Sequence, residues 1–298
     1  MKNSSRVCIL GASGYLGLKL LDFLYAEGFD VIIVIRKKSI NKLGNLKARY
    51  ELVYIEDPSF EKKIIASTVN YLINASVDYG KEANSESTSI WTNVYYPIHV
   101  LNLLSLRNNG IVFISFDSFY SKFYNQSEKI MPSYVLSKLN FIEWAKIFLR
   151  GKSSSIVILY LEHLIGPGES ENKFNSWFIK QCRESQGVVE LTSGIQVRDF
   201  IFVDDILSAV KIVMQATVPD GKLYKYEVGS GVGTSLKDFC EIVHRKLESR
   251  VVLRFGALGL SDEEIMTSVA ENSKLLKMGW NPIIDINSII DKAILANS

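Results

Sequence analysis

Val7-Cys8-Ile9-Leu10-Gly11-Ala12-Ser13-Gly14-Tyr15-Leu16-Gly17 is the stretch from which the fold class follows. A short apolar run of strand type stops at a glycine, and a helical stripe begins at once, with Leu16, Leu20, Leu21 and Leu24 spaced to cover one face as far as residue 27. Glycines at such a junction let the backbone turn sharply, approach a pyrophosphate with no Cβ in the way, and pack helix closely on strand. Amide groups at the helix N-terminus then face the phosphate charge. In this strand-to-helix setting the pattern reads as a dinucleotide fingerprint, with Gly11, Ser13, Gly14, Tyr15, Leu16 and Gly17 as the cofactor-binding loop. The alternative is a plain glycine-rich turn.

Outward from this loop, β-branched runs recur at 31–35, 52–55, 71–75, 111–115 and 155–159, separated by stretches long enough for crossover helices. The alternation predicts an α/β fold, a doubly wound parallel sheet (Rossmann) of six or more strands over residues 1–160. Past residue 160 the texture shifts to loops such as Gly166-Pro167-Gly168-Glu169-Ser170-Glu171. That shift predicts a smaller α/β lobe over 161–298, with some chain returning to the first domain, at the carboxyl edge of the sheet where such folds bind ligands.

With 47% hydrophobic and 22% charged residues in 298, the chain is neither disordered, collagen-like nor a disulfide scaffold. A net charge of +2 is too near balance for a nucleic-acid or anionic-membrane binder, so the expected partner is a small molecule or another subunit. Cys8, Cys182 and Cys240 are far apart and form no CxxC pair, so neither a metal site nor a disulfide framework is expected, and a reducing compartment fits. The segment Met1-Lys2-Asn3-Ser4-Ser5-Arg6 leads into an apolar run too short for a signal peptide or a membrane span; a cytoplasmic protein is expected. His163, Trp91, Trp144 and Trp177 read as structural or packing residues.

Two further places carry chemistry. The second apolar run ends in Arg36-Lys37-Lys38 rather than in an acid, which favours NADP, with Arg36 forked onto the 2′-phosphate; the alternative is a solvated loop. Ser133-Tyr134-Val135-Leu136-Ser137-Lys138 leads into a helix at 139–149 and sets Tyr134 and Lys138 one turn apart on one face. An ammonium beside a phenol favours the phenolate, which predicts a Tyr134 pKa below the ordinary value of about 10 and a tyrosine able to pass a proton.

With Gly11, Gly14, Gly17, Tyr134 and Lys138 go Asp57, Asn74-Ala75-Ser76, Asn93, Gly166-Pro167-Gly168, the segment 196–205, Val228-Gly229-Ser230-Gly231 and Gly279-Trp280-Asn281-Pro282. Over nearly its whole length the chain resembles the extended short-chain dehydrogenases/reductases that act on nucleotide-diphosphate sugars, and within them reductases of CDP-4-keto-3,6-dideoxyhexoses. The resemblance implies that Asp57 accepts from the adenine amine and that Ala75 and Ser76 line the nicotinamide ribose and phosphates. It further implies that Lys138 also bonds the nicotinamide ribose. Arg198 would meet the sugar nucleotide's diphosphate, with Asn172 and Tyr79 as further substrate contacts; the alternative for Arg198 is a structural ion pair with Asp199.

The chain departs from the family at Phe116, where a Ser or Thr normally shares the substrate's carbonyl oxygen with the tyrosine. Ser118 or a water is the expected replacement. Asp117-Ser118 stands where the family's dehydratases carry Asp-Glu, so elimination is not expected and simple reduction is. Asp117 either bonds a substrate hydroxyl or caps the turn. Tyr160 stands where many relatives have Arg. The implied activity is NADPH-dependent 4-ketoreduction of a nucleotide-activated deoxysugar, as in O-antigen and lipopolysaccharide synthesis. The alternatives are a nucleotide-sugar C4 epimerase and a nucleotide-binding sensor that has lost the chemistry. A homodimer is implied by analogy, with Val100, Leu101, Leu104, Phe141 and Phe148 as contacts or, equally, as intrachain core.

Overall fold

The computed structural model describes residues 5–80, 86–127, 129–216, 221–282 and 285–296. The chain divides into two compact units: one runs to Tyr160 and takes in Val210–Tyr226, and the other comprises Leu161–Ala209 and the chain from Glu227 onward.

The first unit is built on a mostly parallel seven-stranded sheet. Its strands are β1 (Arg6–Leu10), β2 (Asp30–Ile35), β3 (Glu51–Tyr54), β4 (Tyr71–Asn74), β5 (Val112–Ser118), β6 (Ser155–Leu161) and a last strand, Leu223–Val228. Across the sheet the order is Leu223–Val228, β6, β5, β4, β1, β2, β3, and the pairs β1–β2, β1–β4, β2–β3 and β4–β5 are all parallel. After β3 the chain crosses to the far side of β1, so the loops after β1 and β4 leave the sheet in different directions and open a crevice at the carboxyl ends. This is the doubly wound Rossmann fold that the sequence predicts. β1 is buried from Val7 to Leu10 and β2 from Val31 to Ile35, as strands covered on both faces require.

Leu20, Leu21 and Leu24 of the helix Tyr15–Ala26 are fully buried, each worth about 1.5–3 kcal/mol of burial. Cys8, Leu10, Ile32, Val34 and Phe113 share a core with Val100, Leu101, Leu104 and Phe141. These last four therefore serve the intrachain core, and Phe148 packs against it half-buried. Trp91, Trp144 and Trp177 are 40%, 56% and 37% exposed, so none is a core residue, while Trp91 packs on Tyr96 and Trp177 on Phe174 and Phe178.

Three local features differ from the pattern read in the sequence. β5 continues through Ser118 instead of ending at residue 115, because Phe116 and Asp117 are themselves buried. The helix that carries Tyr134 starts at Pro132, whose missing N–H is no loss in a first turn, and runs to Phe148. Between the helices Glu86–Ile90 and Tyr96–Ser105, residues Trp91–Tyr95 form a π turn in which the Tyr96 N–H reaches back to the Trp91 carbonyl. Pro97 accounts for the widening: it offers no N–H to the Asn93 carbonyl four residues back, and its ring crowds that oxygen.

In the second unit the strand Val197–Phe202 pairs antiparallel with Gly233–Ser235 and parallel with Thr267–Ser268 and His163–Ile165. Asp199 on this strand accepts hydrogen bonds from the Ser230 N–H (2.8 Å), the Ser230 hydroxyl (2.6 Å), the Gly231 N–H (2.9 Å) and the Ala270 N–H (3.1 Å). A Cβ on Gly229 would lie 2.4 Å from that carboxylate, which explains the glycine there. Trp280 donates from Nε1 to the Asp205 carbonyl at 3.1 Å and the Ser208 hydroxyl at 2.9 Å. All three cysteines are buried and free, and among the described residues no helix is long and apolar enough to cross a membrane.

Candidate active site

At the glycine loop the backbone itself sets the sequence. Gly11 has φ +75°, and a Cβ on it would fall 2.3 Å from the Ser76 nitrogen; one on Gly17 would fall 2.2 Å from the Gly11 carbonyl oxygen. Gly14 has room, with its nearest neighbour at 3.4 Å, so the packing of the polypeptide does not itself require a glycine there. The helix Tyr15–Ala26 has no side-chain cap and no acid in its first turn, which leaves its N-terminal amides to an anion. Asn74 fixes the facing loop: its Oδ1 accepts from the Ser76 N–H at 3.1 Å and from the Ser76 hydroxyl, while the Ala75 N–H donates to the Leu10 carbonyl at 2.9 Å. This cradle fits a dinucleotide.

Arg36 is exposed at the end of β2. Beside it the Lys37 N–H donates to Glu56 at 3.0 Å, and that amide together with the two cations holds the Glu56 carboxyl below its ordinary value. An acid thus reaches the β2 corner from β3, which reading β2 alone misses. Asp57 accepts from the Ser59 N–H (2.9 Å) and hydroxyl (2.8 Å) and pairs with Lys63 (2.6 Å), which together hold its pKa far below the usual carboxylate range. It therefore fixes the turn that leads into the helix Phe60–Ala66, whatever it does for an adenine.

Tyr134 and Lys138 are both buried at 4% exposure on the helix Pro132–Phe148. The Lys138 ammonium donates to the Phe116 carbonyl at 2.8 Å and lies 5.9 Å from the centre of the Tyr134 ring. Burial, and next the Asp117 carboxylate, push the Tyr134 pKa well above the ordinary phenol value, while burial lowers that of Lys138. This reverses the expected lowering of the tyrosine: burial is the largest effect, and the Asp117 carboxylate adds to it. Asn93 positions the surroundings. It donates to the Asp78 carbonyl (2.8 Å) and the Ser137 hydroxyl (2.9 Å) and accepts from the Asp78 N–H (2.9 Å). The loop so clamped lays Tyr79 against Tyr134 with ring centres 5.2 Å apart.

On β5 the alternation of side chains sets Phe116 and Ser118 on one face and Asp117 on the other. Asp117 Oδ1 accepts from the Ser118 N–H and the Ser121 hydroxyl, both at 2.8 Å, whereas Oδ2 is buried without a partner. Burial raises the Asp117 pKa and Lys138 opposes the rise. The Ser118 hydroxyl is also buried and makes no fully formed hydrogen bond, yet it sits close enough to pull the Tyr134 pKa down. The Lys225 ammonium lies 5.9 Å from the centre of the Tyr160 ring.

In the second unit Arg198 is 5% exposed and pairs with Glu264 rather than with Asp199, which serves the Ser230 loop. Asn172 is exposed. Among the described residues no three His, Cys, Asp or Glu side chains are placed to hold a metal ion.

Residues 7–229 match the model of the NAD dependent epimerase/dehydratase family. The chain belongs to that family. It is 32% identical to the CDP-abequose synthase of Salmonella typhimurium over 297 residues, covering 97% of both proteins. Among solved structures it superposes on the UDP-glucose 4-epimerase of Thermotoga maritima with UDP-glucose at a TM-score of 0.79 and 16% identity, covering 98% of each chain. It superposes also on RMD from Pseudomonas aeruginosa complexed with NADPH at 0.76 and 17% identity, covering 98% of each. A role in modifying nucleotide-linked sugars follows from the membership.

Proposed function

We propose that the protein reduces the C4 ketone of a nucleotide-activated 4-keto-deoxyhexose, with NADPH as cofactor and a CDP-sugar as the favoured substrate. The observation that carries this reading is the buried Tyr134 phenol flanked by the Lys138 ammonium and by the Ser118 hydroxyl, which acts on the phenol. Gly11, Ser13, Gly14, Tyr15, Leu16 and Gly17 hold the dinucleotide phosphates, Arg36 the 2′-phosphate, Asp57 the adenine, Ala75 and Ser76 the nicotinamide end. A reduced nicotinamide, when bound, supplies a hydride.

Tyr134 is the acid. Its raised pKa keeps the proton on the phenol at neutral pH until the carbonyl oxygen takes it. Ser118 donates a second hydrogen bond to that oxygen in place of the hydroxyl that Phe116 cannot supply. Lys138, tethered to the Phe116 carbonyl, stabilises the phenolate left behind and orients the nicotinamide ribose. Asp117 Oδ2 accepts from a substrate hydroxyl while Oδ1 caps the turn, so the two roles weighed for it coexist. With Ser rather than Glu at position 118, no second carboxylate follows Asp117 to remove a carbon-bound proton, which favours reduction over elimination. In the second unit Arg198 exchanges Glu264 for the substrate's diphosphate and Asn172 is a further substrate contact; in the first, Tyr79 contacts the substrate from its place against Tyr134.

The same reading makes the protein a cytoplasmic homodimer, serving deoxysugars of surface polysaccharides. Its partner face would lie on Ile90, Tyr95, Leu136, Trp144 and Ile147, which are 49–57% exposed on two neighbouring helical segments. A panel of CDP- and dTDP-linked 4-keto-6-deoxy and 4-keto-3,6-dideoxy sugars, assayed for NADPH oxidation, tests the activity. Turnover of at least one is expected. Tightly retained NAD without NADPH turnover would establish the epimerase instead, and normal cofactor binding with no turnover of any kind would establish the sensor.

A further inference from the structure

Tyr96 has a hydroxyl group that the fold does not use. The residue follows the π turn directly, is 4% exposed, and stacks its ring on Trp91 with centres 4.8 Å apart and planes 11° from parallel. The body of the side chain belongs to the core around Cys8, Leu10, Ile32 and Val34. Its hydroxyl oxygen is buried without a hydrogen-bond partner. Tyr96 nevertheless lines a cleft, in company with Gly11, Ser13, Arg36, Ser39 and Trp91. Arg36 and Glu56 both act on the phenol, one favouring and one opposing its ionisation, which sets the hydroxyl in the field of the β2 corner.

A buried donor with no partner is unfavourable unless something arrives to accept from it. In a cleft that Arg36 and Ser39 also line, the acceptor that a phenol, a guanidinium and a hydroxyl all suit is a phosphate oxygen. Glu56, the one acid at this corner that acts on the phenol, is held at the Lys37 amide. We infer that Tyr96 binds the 2′-phosphate of NADPH, its hydroxyl completing a site with Arg36 and Ser39. The inference deepens the NADP reading given above and rests on it.

Isothermal titration of the full chain with adenosine 2′,5′-bisphosphate and with adenosine 5′-monophosphate tests it without catalysis, comparing the unmutated protein with Tyr96→Phe and recording the Tm of each without ligand. The unmutated protein is expected to bind the bisphosphate more tightly. Tyr96→Phe should weaken that binding roughly ten-fold, leave the monophosphate within about two-fold, and leave the ligand-free Tm unchanged or higher, because no protein hydrogen bond is lost. Equal losses for both nucleotides, an unchanged bisphosphate affinity, or a lower Tm would each overturn the role of Tyr96 while the NADP reading stands. An unmutated protein that prefers the monophosphate would sink the NADP reading itself and this inference with it.

Discussion

At the glycine loop the polypeptide presses against itself, with a Cβ on Gly17 falling 2.2 Å from the Gly11 carbonyl, whereas beside Tyr134 it leaves Asp117 Oδ2 buried without a partner and the Ser118 hydroxyl with only the phenol to act on. The first region is fixed by backbone packing in the ligand-free protein. The second holds polar atoms in an unfavourable state that a substrate would relieve. Residues of the loop are therefore tied to stability and binding together, while those of the pocket are tied to chemistry and are neutral or unfavourable for stability.

The contrast breaks first, if it breaks, at Gly17. Gly17→Ala forces a methyl group into backbone atoms and should destabilise the protein by at least about 3 kcal/mol, seen as a large fall in Tm with loss of dinucleotide binding. Survival of both would show that the loop is not packing-limited. Tyr134→Phe should lower kcat about 10³-fold with Tm unchanged or higher, as measured by steady-state assay and calorimetry; a fall in Tm comparable to that of Gly17→Ala would erase the distinction. Ser118→Ala sharpens it further, with an expected loss of about 10²-fold in kcat and little change in NADPH affinity. The smallest effect is at Asp117. Its pKa is raised by burial, so its contribution to stability is full below the ordinary carboxylate range and declines as pH rises through the higher folded-state value. Asp117→Asn should accordingly be more stable than the parent at neutral pH and lose that advantage towards pH 3, a crossover that Tm measured against pH would reveal.

What could be read in the sequence was what depends on neighbours along the chain. The run Val7–Leu10 with its glycines fixes β1, the loop and the following helix, because strand, turn and helix signals lie within about twenty residues of one another. Tyr134 and Lys138 were legible for the same reason, being one turn apart. What stayed hidden depends on distant chain. Glu56 reaches the corner of β2 from β3, and Tyr96 lines one cleft with Gly11 and Ser13, which are distant from it in the chain. Apolar helix positions read alike whether they face a partner or a sheet, so only the structure assigns Val100, Leu101, Leu104 and Phe141 to the core. The direction of the Tyr134 pKa was misjudged because spacing reveals the ammonium but not the degree of burial, which is the larger effect here.

Pro97 acts as a phase shifter. By widening one turn it takes up an extra residue within the helical run, and each residue of a regular helix turns the chain by about 100°. A substitution that let this segment relax to regular α geometry would re-clock its two ends against each other by roughly that angle. Asn93 would then swing away from Asp78 and Ser137 while Tyr96 kept its place, or the reverse. One imino acid thus keeps the stacked Trp91–Tyr96 pair and the Asn93 clamp beside Tyr134 in step.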